Sequence, residues 1–443
     1  MTDQGLFMFG SYQVRADDLW IIATAACCGI SSGLVGCFLV LRRMSLLGDA
    51  ISHAILPGLA VAFLITGNRE PLPMLIGALG VGVLTAVLSQ ALHRWGRVPE
   101  DASMGVVFTT LFALGVIMIT WVARNIDLDP GCVLYGLIEF VPFDTIHLAG
   151  LELPRSFVWL AIVLILNTTL IATFFKELKI VCFDPALATT MGISAALVHY
   201  AMMTAVATTA VASFEAVGSI MVIAMLVAPG ATAHLLTDRL SRMLWISALI
   251  ALASAILGYI GAVWLNTSVA GMIASVSLLI FIIALFLAPR HGVVPKRIRR
   301  FALALRICRE DILGLLYRAH EQQLPEALPT THVPPSPTAR ELIQLTHSGW
   351  LGRLVLQLLV RRGLIRIDPG GCVRLALRGI PEASQIVRGH RLWESFLTHR
   401  LKMDPSRVHA PAHKAEHVLS ESLRSQLEDD LRTTKDPHGR VIP

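Results

Sequence analysis

The sequence is poor in charge for its length. Only 15% of its 443 residues are Asp, Glu, Lys or Arg, while 54% are hydrophobic and the mean hydropathy is +0.65; soluble domains carry about a quarter charged residues. Such a chain cannot keep its whole surface in water, and most of it is expected to sit in lipid. Its seven cysteines, Cys27, Cys28, Cys37, Cys132, Cys182, Cys308 and Cys372, have no CxxC spacing. That excludes a disulfide framework and a cysteine zinc site as readings of the sequence. No GxxxxGK[ST] stretch occurs, so no Walker loop is present to hold ATP. The first apolar run, 19–41, is too long for a secretory h-region and lacks a basic start and a small-residue cleavage site, so it is expected to stay in the mature protein.

What is present is a series of apolar runs and then an abrupt stop. A helix needs about 20 apolar residues to cross a bilayer. Candidates are 19–41, 50–66, 72–92, 104–123, 156–175, 197–213, 217–236, 243–263 and 269–288, rich in Gly and Ala as packed membrane bundles are. Basic loops alternate with neutral or acidic ones: LRR at 41–43, HRWGR at 93–97, KELK at 176–179, DRLSR at 238–242 and RH at 290–291 would face the cytoplasm. The stretches 67–71, 125–153, 213–216 and 265–268 would face out. Arg290, Lys296, Arg297, Arg299 and Arg300 follow the last run, which predicts a cytoplasmic C-terminus by the positive-inside rule rather than a nucleic-acid footprint. In the interior loop 176–200, DPALATTMG predicts a short helix: Asp184 as N-cap, Pro185 at the first position, then Ala186, Leu187, Ala188, Met191 and a closing Gly192. It reads either as an ordinary surface helix or as a docking helix for a motor subunit.

Asp49 and His53 stand four residues apart in LRRMSLLGDAISHAILPG (41–58). On a helix they share one face, and a carboxylate oxygen with an imidazole nitrogen suits Mn, Fe or Zn. An ionisable group at membrane depth costs about 2.5–3.5 kcal/mol on insertion scales and marks an ion or substrate path. The plainer alternative is that Asp49 caps a helix and His53 bonds a neighbour. Two ligands are too few for a divalent ion, so a second copy of the subunit or water would complete the shell.

FLVLRRMSLLGDAISHAILPGLAVAFL (38–64), VGSIMVIAMLVAPGATAHLLTDRLSRML (217–244) and LGYIGAVWLNTSVAGMIASVSLLIFIIALFLAPRHG (257–292) resemble, in order, the metal-ion permeases of ABC importers for zinc, manganese and iron(II). The resemblance covers about 19–292. It implies a permease dimer, homo- or heteromeric, in which Asp49 and His53 of each copy bind the ion in transit. It also implies that the loop 182–194 docks on a separate ABC ATPase and that an extracytoplasmic binding protein delivers the metal. Uptake is expected to weaken as His53 protonates near pH 6. A secondary transporter is the alternative, but no internal repeat of the kind it would need is visible.

From about 303 the composition turns soluble. CREDILGLLYRAHEQ (308–322) has helical apolar spacing, and a Pro- and Thr-rich loop follows at 324–338. Residues 339–379 then read as helix, turn, helix and two short strands around DPGG, a winged helix-turn-helix. Its second helix, about 347–362, offers Arg353, Arg361 and Arg362 but also Gly349, Trp350 and Gly352, a poor set for base contacts. Further on, His390 and Glu394 stand at i, i+4, as do His409 and His413, and HKAEH puts His413, Glu416 and His417 on one face. So many N and O ligands at helical spacing indicate a metal site built between helices. HxxEH is also a zinc metalloprotease motif, but only 26 residues follow His417, too few for a substrate cleft.

The tail from about 308 to the end, including HVLSESL and DPHGRVIP, resembles the diphtheria toxin repressor and manganese transport regulator family. That resemblance places Asp311, His413, Glu416 and His417 on a primary metal site, and His390, Glu394 and His409 on an ancillary one. His413 stands where those proteins have Cys or Glu, and Gly314 replaces a ligand of the manganese-selective members.

The expectation is an all-α polytopic membrane protein of about 8–9 helices in the bacterial inner membrane, followed by a small cytosolic domain. Its parts would be a permease (1–292), a basic linker (293–307), a winged helix-turn-helix (308–379) and a helical metal-binding and dimerisation domain (380–443). The expected function is permease of an ATP-driven divalent-metal importer, with Mn, Fe or Zn as substrate and tail ligand and no nucleotide on this chain. The tail is expected to gauge metal and regulate uptake. The alternative is a membrane-tethered, metal-dependent DNA-binding repressor.

Overall fold

The computed structural model describes residues 7–9, 12–44, 48, 50, 54, 56–67, 71–122, 138–148, 150–323, 334, 336–417, 421–431 and 433–443. Contacts divide the chain into two units, Met1–Pro295 and Lys296–Pro443.

The first unit is helical. After a short hairpin of β1 (Phe7–Phe9) and β2 (Tyr12–Val14) come α1 (Ala16–Leu41), α2 (Leu56–Thr66), α3 (Pro71–Gly96) and α4 (Glu100–Val122). α5 (Arg155–Thr173), α6 (Phe175–Phe183), α7 (Pro185–Thr190), α8 (Ala195–Leu236), α9 (Leu240–Leu265) and α10 (Val269–Leu287) complete it. Among the described residues, six helices are long and apolar enough to cross a membrane, with Leu56–Thr66, Ala102–Met118 and Ile220–Leu236 as shorter apolar helices. The apolar runs at 197–213 and 217–236 join as two helical halves of α8 across a kink at Gly218, whose φ of 74° only glycine adopts easily. The stretch 125–153 carries structure that the sequence reading treated as loop: a 3-10 helix Ile138–Phe143 and a hairpin of β3 (Thr145–Leu148) with β4 (Leu151–Pro154).

α1 and α8 form the centre of this unit, sharing a core of Ala25, Cys28, Val35 and Leu39 with Val206, Ala210, Met221 and Met225. Lipid supplies no hydrophobic drive between helices, so close approach and internal hydrogen bonds hold them. A Cβ on Gly36 would lie 1.8 Å from the Leu226 carbonyl oxygen, so only glycine fits there. Buried Asn167 of α5 donates to Ser31 Oγ of α1 at 2.8 Å and to Thr209 Oγ1 of α8 at 2.7 Å, pinning three helices at one point.

The second unit has its own core around Ile312, Leu316, Leu342, Leu356, Leu359, Ile365 and Val373. Residues 293–307, a linker in the sequence reading, are the first half of a continuous helix, α11 (Val293–Glu321). α12 (Ala339–Leu345) and α13 (Gly349–Arg361) follow, then the antiparallel pair β5 (Ile365–Ile367) and β6 (Val373–Leu375). This is the helix, turn, helix, strand, strand order expected for a winged helix. Thr338 opens α12 with a reciprocal cap, its hydroxyl accepting from Glu341 N–H while Glu341 accepts from Thr338 N–H. α14 (Ile380–His399), α15 (His409–Glu416) and α16 (Glu421–Leu431) complete the unit. Buried Arg391 of α14 grips Glu321 with two nitrogens at 2.9 and 2.6 Å and donates to the Val441 carbonyl, tying the chain's last residues to α11.

Candidate metal centres

Two clusters of imidazoles and carboxylates form where α11, α14 and α15 meet. α11 brings Glu310 and Asp311; α14 brings His390 and Glu394; α15 and the residue after it bring His409, His413, Glu416 and His417. One ligand atom from each of Asp311, His413, Glu416 and His417 lies within 4.8 Å of the others, and the same holds for His390, Glu394 and His409. The structure thus brings together the two sets named from the sequence.

In the first cluster, His413 Nδ1 meets Glu416 Oε1 at 2.6 Å, and His417 Nε2 lies 3.2 Å from Asp311 Oδ1. Asp311 Oδ1 is buried without a hydrogen bond, which leaves an acceptor oxygen open toward the ring nitrogens. In the second, His390 Nε2 is 3.0 Å from both Glu394 Oε1 and His409 Nδ1. Glu416 belongs to both, because its other oxygen meets His390 Nδ1 at 2.7 Å.

The fields are strong because His390, Glu394, Glu416 and His417 are buried, although His409 and His413 are exposed. Burial alone pulls His417 down, but Asp311, Glu310 and the Glu416 charge outweigh it and hold the imidazolium up to about 10. Burial pushes Glu416 up, yet hydrogen bonds from His390 and His413 with the Arg318 charge bring it down to about 2. Glu394 is likewise held far below the usual carboxylate range by His390 and His409, against its burial. In this arrangement imidazole nitrogens meet the carboxylates directly. A divalent cation is the natural replacement, since ionised carboxylates and neutral imidazoles are what Mn, Fe(II) or Zn require. The donor set fits such an ion and offers no thiolate that would favour Cu(I).

Two contributors were not read from the sequence. Glu310 Oε2 takes the Nδ1 side of His417 at 2.7 Å while Asp311 faces the Nε2 side. This is the carboxylate-to-histidine arrangement that orients metal-bound imidazole. Arg318, two turns further along the α11 face, is buried near Glu394 and Glu416 and balances part of their charge. Their signal was there only as two adjacent acids and a basic residue on an amphipathic helix.

Asp49 and His53 lie outside the described residues; their neighbours Ala50 and Ala54 are buried. α7 follows the sequence closely. Asp184 Oδ1 accepts the Leu187 N–H at 2.9 Å, Pro185 opens the helix, and Gly192 leaves it at φ 82°. Ala188 packs inward while Leu187 and Met191 are exposed. In the winged helix, Trp350 at the start of α13 stacks on Phe301 of α11 with centroids 6.0 Å apart.

Residues 18–288 match the model of the ABC 3 transport family, and the chain belongs to that family. Residues 378–443 match the model "Iron dependent repressor, metal binding and dimerisation domain". The manganese transport system membrane protein MntD of Bacillus subtilis is 48% identical over 283 residues, 64% of this chain and 96% of that protein. The zinc transport system membrane protein TroD of Treponema pallidum is 34% identical over 81% of this chain and 96% of that protein. The solved structure of PsaBC from Streptococcus pneumoniae in complex with Fab is similar with a TM-score of 0.54 and 31% identity, over 63% of this chain and 94% of that one.

Proposed function

We propose that this chain is the membrane permease of an ATP-driven importer of a divalent transition metal, fused to a cytosolic gauge of the same class of ion. Manganese is favoured, with iron(II) and zinc as the other candidates, because relatives sharing the membrane unit are named for manganese and zinc transport. Asp49 and His53 of two permeases would hold the ion in transit, α7 would dock a separate ATPase through exposed Leu187 and Met191, and an external binding protein would deliver the metal. The basic residues that follow α10 favour a cytoplasmic C-terminus.

The observation that carries the tail's role is the pair of clusters sharing Glu416. Asp311, His413, Glu416 and His417 would hold one ion, and His390, Glu394 and His409 a second. The gauge reading is preferred over a DNA reader because the end of α13 that would meet base edges carries Trp350 stacked on Phe301, an aromatic pair without donors matched to bases.

Radiotracer uptake of manganese, zinc and iron(II), in cells that also hold the ATPase and binding protein, tests the permease. Wild type is expected to accumulate one of them, and Asp49→Ala and His53→Ala to accumulate none while reaching the membrane at normal levels. Normal uptake by both variants would remove the pair from the path.

A further inference from the structure

Far from the candidate metal clusters in sequence, the membrane unit has an open, partly polar cavity of about 340 Å³. It lies where the end of α1, the last turns of α3 and the first turn of α8 meet, and its side chains are Arg42, Gln90, His93, Arg94, His199 and Tyr200. None of the described residues lining it is acidic. Among the described residues, Arg42 Nη1 and His199 Nδ1 are buried side-chain nitrogens without a hydrogen-bond partner, the latter on a side chain 6% exposed. A guanidinium nitrogen held out of water is costly unless an acceptor meets it. Ala195 and Ala196, the first residues of α8, also line the cavity, where backbone N–H groups have no intrahelical carbonyl and the helix dipole is positive. His93 is fixed beside them by its Nδ1, 2.7 Å from the Val98 carbonyl.

Two guanidiniums repel a divalent metal, so the imidazoles here are not a second stop for the cargo. The two guanidiniums and the start of α8 bring positive charge to the pocket, which suits an anion with several oxygens. We propose that the cavity is a binding site for a phosphate group, held by Arg42 and Arg94 with the first turn of α8 and the His199 ring completing the shell. Its position favours a phospholipid as the source. The cavity sits at the ends of apolar helices, and Trp95, on the same turn of α3 as Arg94, is exposed as interfacial tryptophans are. Basic pockets between membrane helices at that level take anionic headgroups. The site requires that the chain cross a membrane but no metal chemistry, so it stands or falls apart from uptake.

The test is thermal unfolding of the purified full chain, delipidated in neutral detergent. Phosphatidylglycerol is titrated against phosphatidylcholine and, separately, inorganic phosphate against chloride at equal ionic strength. Wild type is expected to show a saturable rise in Tm. Arg94→Gln, at an exposed position where folding is safe, is expected to bind about tenfold more weakly, as loss of one charge-assisted contact implies. Arg42→Gln should abolish the response; if it does not fold, Arg94→Gln decides. A rise with phosphatidylglycerol alone assigns the site to lipid, and a rise with inorganic phosphate as well assigns it to the free ion. No saturable rise with either, or one unchanged in the variants, overturns the proposal.

Discussion

His417 is flanked by carboxylates, with its Nδ1 bonded to Glu310 at 2.7 Å and its Nε2 lying 3.2 Å from Asp311. Because its pKa is raised from 6.5 to about 10, the proton's contribution to the metal-free fold is complete below pH 6.5 and lost as pH rises toward 10. Glu416 runs the other way: with its pKa lowered from 4.5 to about 2, its contribution is present above pH 4.5 and lost as pH falls toward 2. If the first cluster takes a metal, the ion must displace the His417 proton, so affinity there should climb as pH rises toward 10, and about one proton should leave per ion bound. Calorimetry of manganese binding in buffers of different ionisation enthalpy, comparing the whole chain with His417→Ala, reads that proton directly. Absence of a difference between the two would mean that another group carries it. The candidate ligands on α14 and α15 were legible in the sequence because i, i+3 and i+4 spacing is visible in a string of letters, whereas Asp311 joined them only through the family resemblance. Glu310 was not legible, because adjacent helix residues point about 100° apart and only the fold shows one ring reaching both.

Elements were legible where local chemistry sets them. The capped helix after Asp184 and the turn, helix and strands of 339–379 follow from residues that act on their neighbours in sequence. The hairpin at 145–154 was not, since its pairing of Ile146 with Leu153 carries no turn signal strong enough to stand out in an acidic loop. Nor was the unbroken course of α11, where the Pro and basic residues at 295–300 suggested a linker. Proline in a first helical turn lacks only an N–H that would be unpaired anyway. The α1–α8 packing makes a prediction at this scale. Gly36→Ala drives a Cβ to 1.8 Å from the Leu226 carbonyl and should cost about 1–3 kcal/mol or more, seen as a lower Tm in detergent. Gly80→Ala on α3 meets nothing within 4 Å and should be neutral or stabilising by up to about 1 kcal/mol. Equal effects of the two substitutions would show that the helices are not in close contact at Gly36.

At the scale of the whole molecule, the proposed gauge predicts that the transporter slows when the cell is full. Cutting the chain at 303 would sever α11, so the informative variant is Glu416→Gln, which removes a ligand and leaves the backbone whole. Cells preloaded with manganese are expected to shut down wild-type uptake and to leave the variant importing several-fold faster; identical inhibition of both would separate the tail from transport. The composition break near 290 made the two-part plan legible, whereas the purpose of the second part depends on which side chains converge, which spacing alone does not give. Glu416 adds a consequence of its own. Its two oxygens face different pockets, so an ion that turns the carboxylate toward itself in one alters the partner His390 sees in the other. By thermodynamic reciprocity each ion then changes the affinity of the other by the same factor. If both clusters hold ions, occupancy of the pair would therefore not be the product of two independent isotherms, and Glu416 would couple one site to the other.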